Sequence, residues 1–184
     1  FKNDKVFIET TDGIEEFDYV IFASHADESL KLIKNAPFNI NEIIGSFPYE
    51  KNIAYVHSDE SFLPKRKKLW SSWNYVNSKK SSAVTVNYLI NKLQPLETEI
   101  PIIVTLNPHR DVNKKKTYRI IEYAHPLFDS KAIKAQEKIG SIQGLNHMYF
   151  IGAWSGYGFH EDGLKSAVRL AKTLNLKIPW HAVL

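Results

Sequence analysis

The chain has 184 residues, 43% hydrophobic and 24% charged, with 24 basic against 20 acidic side chains and a net charge of +4. That composition excludes a disordered chain, and so mild a charge excludes a nucleic-acid partner without a clustered basic face. With no cysteine in the sequence, disulfides, zinc–thiolate centres and cysteine-linked cofactors are excluded as well.

No apolar run approaches the ~18 residues of a membrane span, and no signal peptide is visible; a reducing, cytoplasmic setting is the expectation. The sequence opens at Phe1-Lys-Asn-Asp with no initiator Met and enters a strand pattern almost at once, so it reads as the C-terminal portion of a longer protein. Val6-Phe-Ile-Glu-Thr and Glu16-Phe-Asp-Tyr-Val-Ile-Phe-Ala bracket Asp12-Gly13. Asp-Gly between two β-rich runs signals a hairpin, because both residues tolerate φ > 0. The second run ends in Tyr19-Val-Ile-Phe-Ala, apolar throughout, and is expected to enter a buried sheet. Ser24 has the chemistry of an N-cap, with Asp27 three residues on, for a helix through Leu30, Leu32 and Ile33 that Asn35-Ala-Pro37 closes.

From Phe38 to about Ala124 the pattern changes. Asn41 to Phe47 is a candidate short helix. Ile53–His57, Leu69–Tyr75, Ala83–Ile90, Ile102–Leu106 and Thr117–Tyr123 then alternate in the manner of strands between polar loops, predicting an antiparallel or mixed sheet. Trp70, Trp73, Tyr75 and Tyr88 enrich it in aromatics, which either pack in the sheet core or line an apolar substrate chamber. Lys65-Arg-Lys-Lys and Lys114-Lys-Lys read as solvated turns, with a small anionic contact as the alternative. After Pro126 a helix returns, with Ala132, Ala135, Ile139 and Ile142 on one face and Gly144 as its C-cap.

The last stretch is the most informative. Met148 to Ile151 is a continuous apolar run, the pattern of a strand covered on both faces. Gly152, Gly156 and Gly158 follow, with large side chains between them. From Gly163 the period becomes helical: Leu164, Ala167, Val168, Ala171 and Leu174 fall three or four apart, opposite Lys165, Arg169 and Lys172. A strand feeding a helix through glycines aims backbone N–H groups, and the positive end of the helix dipole, at whatever lies beyond the strand.

Three better-known motifs fail here. Gly158 and Gly163 have P-loop spacing, but Leu164 stands where the Lys belongs. Lys165 arrives about 100° of helix rotation late. A dinucleotide fingerprint starting at Gly156 needs glycine at Glu161, and His160-Glu161 lacks a second zinc-binding His at Leu164.

Gly152-Ala-Trp-Ser-Gly-Tyr-Gly-Phe-His-Glu-Asp-Gly-Leu-Lys-Ser-Ala resembles the C-terminal flavin-binding motif of the FAD-dependent amine oxidase superfamily, including bacterial NAD/FAD-binding amine-oxidase-like proteins. Asp18–Ala23, Trp70–Tyr75, His125–Asp129 and Ile142–Gly144 are similar to that group too. The resemblance implies a mixed α/β chain: a partial FAD/NAD(P)-binding Rossmann-like domain from residues 1–37 and 140–184, and a mixed or antiparallel-sheet substrate domain from 38–139. It implies non-covalent FAD. Gly152 and Ala153 would pass the diphosphate and ribityl chain, with Trp154 following. His160, Glu161, Asp162, Gly163 and Leu164 would lie at the helix mouth near the ring. Tyr157 would match an aromatic wall of the substrate cage, and Lys51 or Asn52 would fall near flavin N5.

The sequence departs from the family at Ala153, where many relatives carry an acidic residue, and it holds no N-terminal G-x-G-x-x-G unit. The expected partners are therefore a small-molecule or lipid substrate and the missing N-terminal part of the same protein, without which FAD binds poorly or not at all. Expected chemistry is hydride transfer from a C–N or C–C bond to flavin N5. A flavin-dependent lipid desaturase or isomerase, and a non-catalytic binding or scaffold module with a relict motif, remain open.

Overall fold

A computed structural model describes residues 5–77 and 84–180 of the chain. Its contacts divide it into two compact units, cut between Tyr49 and Glu50 and again between His125 and Pro126.

The first unit joins the two ends of the sequence. Strands β1 (Val6–Thr10) and β2 (Gly13–Phe17) form the hairpin expected around Asp12-Gly13, with Thr10 opposite Gly13 and a φ of 139° at Gly13. The second run, Glu16 to Ala23, is not one strand. It breaks at Asp18, whose carboxylate is held 2.5 Å from Lys5 Nζ. β3 (Val20–Phe22) then leaves the hairpin and pairs parallel with β9 (Met148–Phe150), Val20 opposite Met148 and Phe22 opposite Phe150. β9 buries Met148 and Phe150 on one face, while β3 leaves Ile21 40% exposed.

Helix α1 (Ala26–Leu32) starts after His25 rather than Ser24. The Ser24 hydroxyl pairs with that of Ser29 at 2.9 Å, and the Ala26 N–H is taken by the Tyr49 hydroxyl at 2.9 Å. Burial pushes the Tyr49 phenol up to about 12, so it remains a neutral hydroxyl. α2 (Phe38–Ile44) begins directly after Pro37, ahead of the expected Asn41, and buries Ile40, Ile43 and Ile44. α3 (Ser130–Lys138) is capped by Asp129, whose carboxylate accepts the N–H groups of Lys131 and Ala132 at 2.9 and 2.8 Å. α4 (His160–Thr173) closes the unit.

One core unites these elements: Ile40, Ile44 and Phe47 meet Ala132, Ile139, Ile142, Phe150 and Trp154. Because α2 and α3 feed this core, the compact boundaries fall outside them, where the sequence had suggested 37/38 and 139/140.

The second unit is a five-stranded sheet of β4 (Tyr49–His57), β5 (Trp73–Asn77), β6 (Val84–Leu89), β7 (Ile103–Leu106) and β8 (Thr117–Pro126). Its order is β5-β6-β7-β4-β8, with β5–β6, β6–β7 and β4–β7 antiparallel. Ala83, expected to open a strand, lies outside the described residues. A small apolar cluster of Leu63, Leu89 and Ile103 packs with Trp70. Trp73 and Tyr75 are not core residues: on edge strand β5 they are 53% and 64% exposed.

Beside this apolar cluster, buried polar groups of the sheet are paired with one another. Asp59 N–H donates to His57 Nδ1 at 3.0 Å, so the ring proton sits on Nε2, 2.7 Å from Thr105 Oγ1. Thr105 then donates to Asn87 Oδ1 at 2.7 Å, and Asn87 donates to the Phe62 carbonyl at 3.0 Å.

Candidate functional site

β3 and β9 run parallel, so their carboxyl ends and the helices that follow, α1 and α4, open on the same side. Ligands of open α/β sheets approach from that side. The Ile151 N–H continues the pairing to the Phe22 carbonyl at 2.9 Å, and the chain then turns at Gly152. A side chain at Gly152 would collide with the Trp154 indole. The Gly152 N–H donates to Ser166 Oγ at 2.9 Å, and Ser166 donates to the Gly163 carbonyl at 2.6 Å, so the strand end is tied to the first turns of α4.

The rest of the loop is fixed by three side chains. Gln136 of α3 donates from Nε2 to the Trp154 and Gly156 carbonyls at 3.0 and 2.6 Å. Asp162 Oδ2 accepts the N–H groups of Tyr157 and Phe159, each at 3.0 Å. Phe128 lies where a β-carbon on Gly158 would fall 3.3 Å from its ring, and Gly158 has a φ of 87°. None of Gln136, Ser166 or Phe128 was singled out from the sequence, because their roles depend on contacts made after folding.

Gly152, Ala153, Trp154, Tyr157, His160, Glu161, Asp162, Gly163 and Leu164 thus form one continuous loop and helix mouth. Trp154 is 3% exposed, with its ring 4.7 Å from Phe47 and its Nε1 donating to the Ser24 carbonyl at 3.1 Å. Its side chain belongs to the core, and its carbonyl is taken by Gln136, so it offers little to a ligand. Asp162 likewise spends its carboxylate on the loop. Tyr157 is 71% exposed, edge-on to Phe128 at 6.5 Å. His160 and Glu161 are exposed at the start of α4, with Glu161 4.0 Å from Lys165. Leu164, expected on the buried face, is 45% exposed, and α4 buries Ser166, Val168 and Leu170.

The N–H groups of Asp162 and Gly163 already return to the Phe159 carbonyl, at 3.0 and 3.3 Å. Those of His160 and Glu161 precede the first helical bond and mark the positive end of the helix dipole. Lys51 and Asn52 belong to the second unit. Lys51 pairs with Glu122 at 2.8 Å, and the hydrogen bond and charge of Glu122 hold its ammonium above the ordinary lysine value. Asn52 accepts from Asn107 Nδ2 at 2.6 Å and donates to the Glu50 carbonyl at 3.1 Å. Among the described residues there is no cluster of His, Asp or Glu suited to a metal ion, and no helix long and apolar enough to cross a membrane.

No protein-family model and no curated protein matches the chain. Among solved structures it is similar to a CLA-producing fatty acid isomerase from P. acnes, with a TM-score of 0.59 and 16% identity over 94% of this chain and 45% of that one. It is also similar to a protein of Exiguobacterium sp. 255-15 assigned provisionally as a protoporphyrinogen oxidase. There the TM-score is 0.58 and the identity 11%, over 95% of this chain and 44% of the other. The chain therefore spans less than half the length of either. At these identities the likeness is one of fold: a mixed α/β chain with a five-stranded sheet that reproduces part of two larger proteins.

Proposed function

We propose that this chain is the flavin-ring side and the substrate unit of an FAD-dependent oxidoreductase, completed by a dinucleotide-binding strand–glycine–helix unit from additional sequence. The glycine loop after β9 and the mouth of α4 support this reading, together with a fold that matches about 45% of each larger solved structure.

The observation that carries it is Gly163. Glycine inside a helix costs about 1 kcal/mol relative to Ala. Among the described residues nothing requires it: its φ is not positive, and a β-carbon there would make only ordinary contacts, 3.7 Å from Ala153 N and 3.9 Å from Ala153 Cβ. A bare α-carbon beside the small Ala153, at a positive helix end, would let a planar, electron-rich ring edge approach the backbone closely.

Gly152 and Ala153 would let the cofactor's ribityl and diphosphate portion pass close to the chain, with the Gly152 N–H already spent on Ser166. The His160 and Glu161 N–H groups, with Gly163 and Leu164, would meet the ring. Asp162, Ser166 and Gln136 keep those groups in place before anything binds, which is how fixed dipoles stabilise developing charge without reorganising. Tyr157, exposed and with its backbone N–H tied to Asp162, would form an aromatic wall for substrate. Bound FAD would supply the hydride acceptor for oxidation at a C–N or C–C bond of a small or lipid-like substrate, held non-covalently in this reading; a cysteinyl thioether is one link this chain cannot provide. The test is to express the chain with its completing unit and look for bound flavin by visible absorbance. A colourless protein that cannot take up FAD would favour a non-catalytic module.

The fold likeness to a fatty acid isomerase favours a second reading within the same class, flavin-dependent isomerisation or desaturation of a lipid. Peroxide release on amine addition, against a changed fatty-acid profile, separates the two.

A further inference from the structure

The second unit contains a cavity of about 600 Å³ on the edge-strand side of its sheet, between β5 and the loops that carry Phe62 and Arg110. That volume is within the range of pockets for small organic ligands. Three features define its chemistry. Aromatic surface is left uncovered at Trp73 and Tyr75, two residues apart on β5 and so on one face, which are 53% and 64% exposed, with Trp73 edge-on to Tyr88 at 5.8 Å; the wall opposite carries the buried Phe62, 5.8 Å from the His109 ring. Two cations, Lys65 and Arg110, line the cavity, and among the described residues no acidic side chain does. Arg110 is fixed in place. Its guanidinium lies 4.3 Å over the Phe62 ring, and Nη2 donates to the Ser61 carbonyl and hydroxyl at 2.6 and 2.8 Å, which leaves its other donors unused by these bonds.

Among the described residues, neither cation forms an ion pair with a carboxylate of the chain. A guanidinium held over a ring and tied by two hydrogen bonds is pre-organised for a planar anion, and exposed Trp and Tyr side chains are stacking surfaces for a flat apolar body. The geometry points to a binding site for an aromatic carboxylate, with its ring system against Trp73 and Tyr75 and its carboxylate on Arg110 and Lys65. The site lies wholly in the second unit and does not rest on the flavin reading.

The test is a titration of the chain with 1-naphthaleneacetate, followed by tryptophan fluorescence and repeated on Trp73→Phe to locate the signal. Its neutral amide and dodecanoate are titrated in parallel. Saturable binding is expected, weakened roughly tenfold when the carboxylate becomes an amide. Lys65→Gln and Arg110→Gln should each shrink that acid–amide difference. Lys65 is exposed and makes no bond to the Phe62 wall, so its variant remains informative should Arg110→Gln perturb folding, which circular dichroism would reveal. Equal binding of acid and amide, preference for dodecanoate over the arylacetate, or no saturation by about 1 mM would each overturn the proposal.

Discussion

A β-carbon on Gly156 would lie 2.6 Å from the carboxyl carbon of Asp162, six residues further along the chain. The two positions are made for each other. The glycine lets the loop fold down onto the carboxylate, and the carboxylate collects the Tyr157 and Phe159 N–H groups that the loop leaves over. Loop and helix mouth therefore form one rigid piece.

Asp162→Ala removes both acceptor contacts and the brace at the α4 mouth. Loss of a helix-capping carboxylate costs about 1–2 kcal/mol, and urea unfolding should read that loss, with Asp162→Asn falling between the variant and the parent chain. No change in the midpoint would mean that the brace is dispensable.

Trp154→Ala tests whether that side chain is core. A buried Trp truncated to Ala loses about 3–5 kcal/mol, and here the Ser24 carbonyl would also lose its donor. A thermal midpoint close to that of the unaltered chain would instead place the indole on the ligand side.

Much of this was readable in the sequence, and the gaps have physical causes. Asp12-Gly13 and the alternating runs identify the hairpin and the five strands because turn chemistry and period 2 are local. The break at Asp18 was hidden because it depends on a pairing with Lys5 and on a parallel partner more than a hundred residues away. α4 starts at His160, ahead of the first periodic residue, because Asp162 supplies its cap from inside the first turn. The resemblance groups Trp154 with the cofactor-contacting residues, whereas Phe47 and Ser24, distant in sequence, turn its indole into the core. Gln136, which clamps the loop from α3, carries no local signal at all.

His57 makes the second unit sensitive to acid. Burial holds its imidazole below the ordinary 6.5, against a smaller opposing pull from Asp59. Protonation would put a second donor against the Asp59 N–H. A group with a depressed folded-state value binds protons more readily when unfolded, so stability is complete above pH 6.5 and falls as pH drops through the folded value. The unfolding midpoint should therefore decline below pH 6.5, and Thr105→Val, which strands the His57 Nε2–H and Asn87 Oδ1, should cost about 1–3 kcal/mol at neutral pH. A midpoint that rises on acidification would contradict this tautomer.

Gly163 separates a structural from a functional glycine. With room for a β-carbon and no positive φ, Gly163→Ala should stabilise the isolated chain by about 0.5–1 kcal/mol, as helix propensity dictates. A loss of stability would show that the glycine serves packing within the chain itself.

The most direct measurement is FAD affinity, by flavin fluorescence titration, of the chain joined to its dinucleotide-binding unit, with Gly163 intact and with Gly163→Ala. The account predicts bound flavin in the first case and roughly tenfold weaker binding in the second, even though the second protein unfolds at a higher denaturant concentration. Equal affinity in both, or no flavin uptake by the intact protein, would contradict a ring resting against that helix mouth.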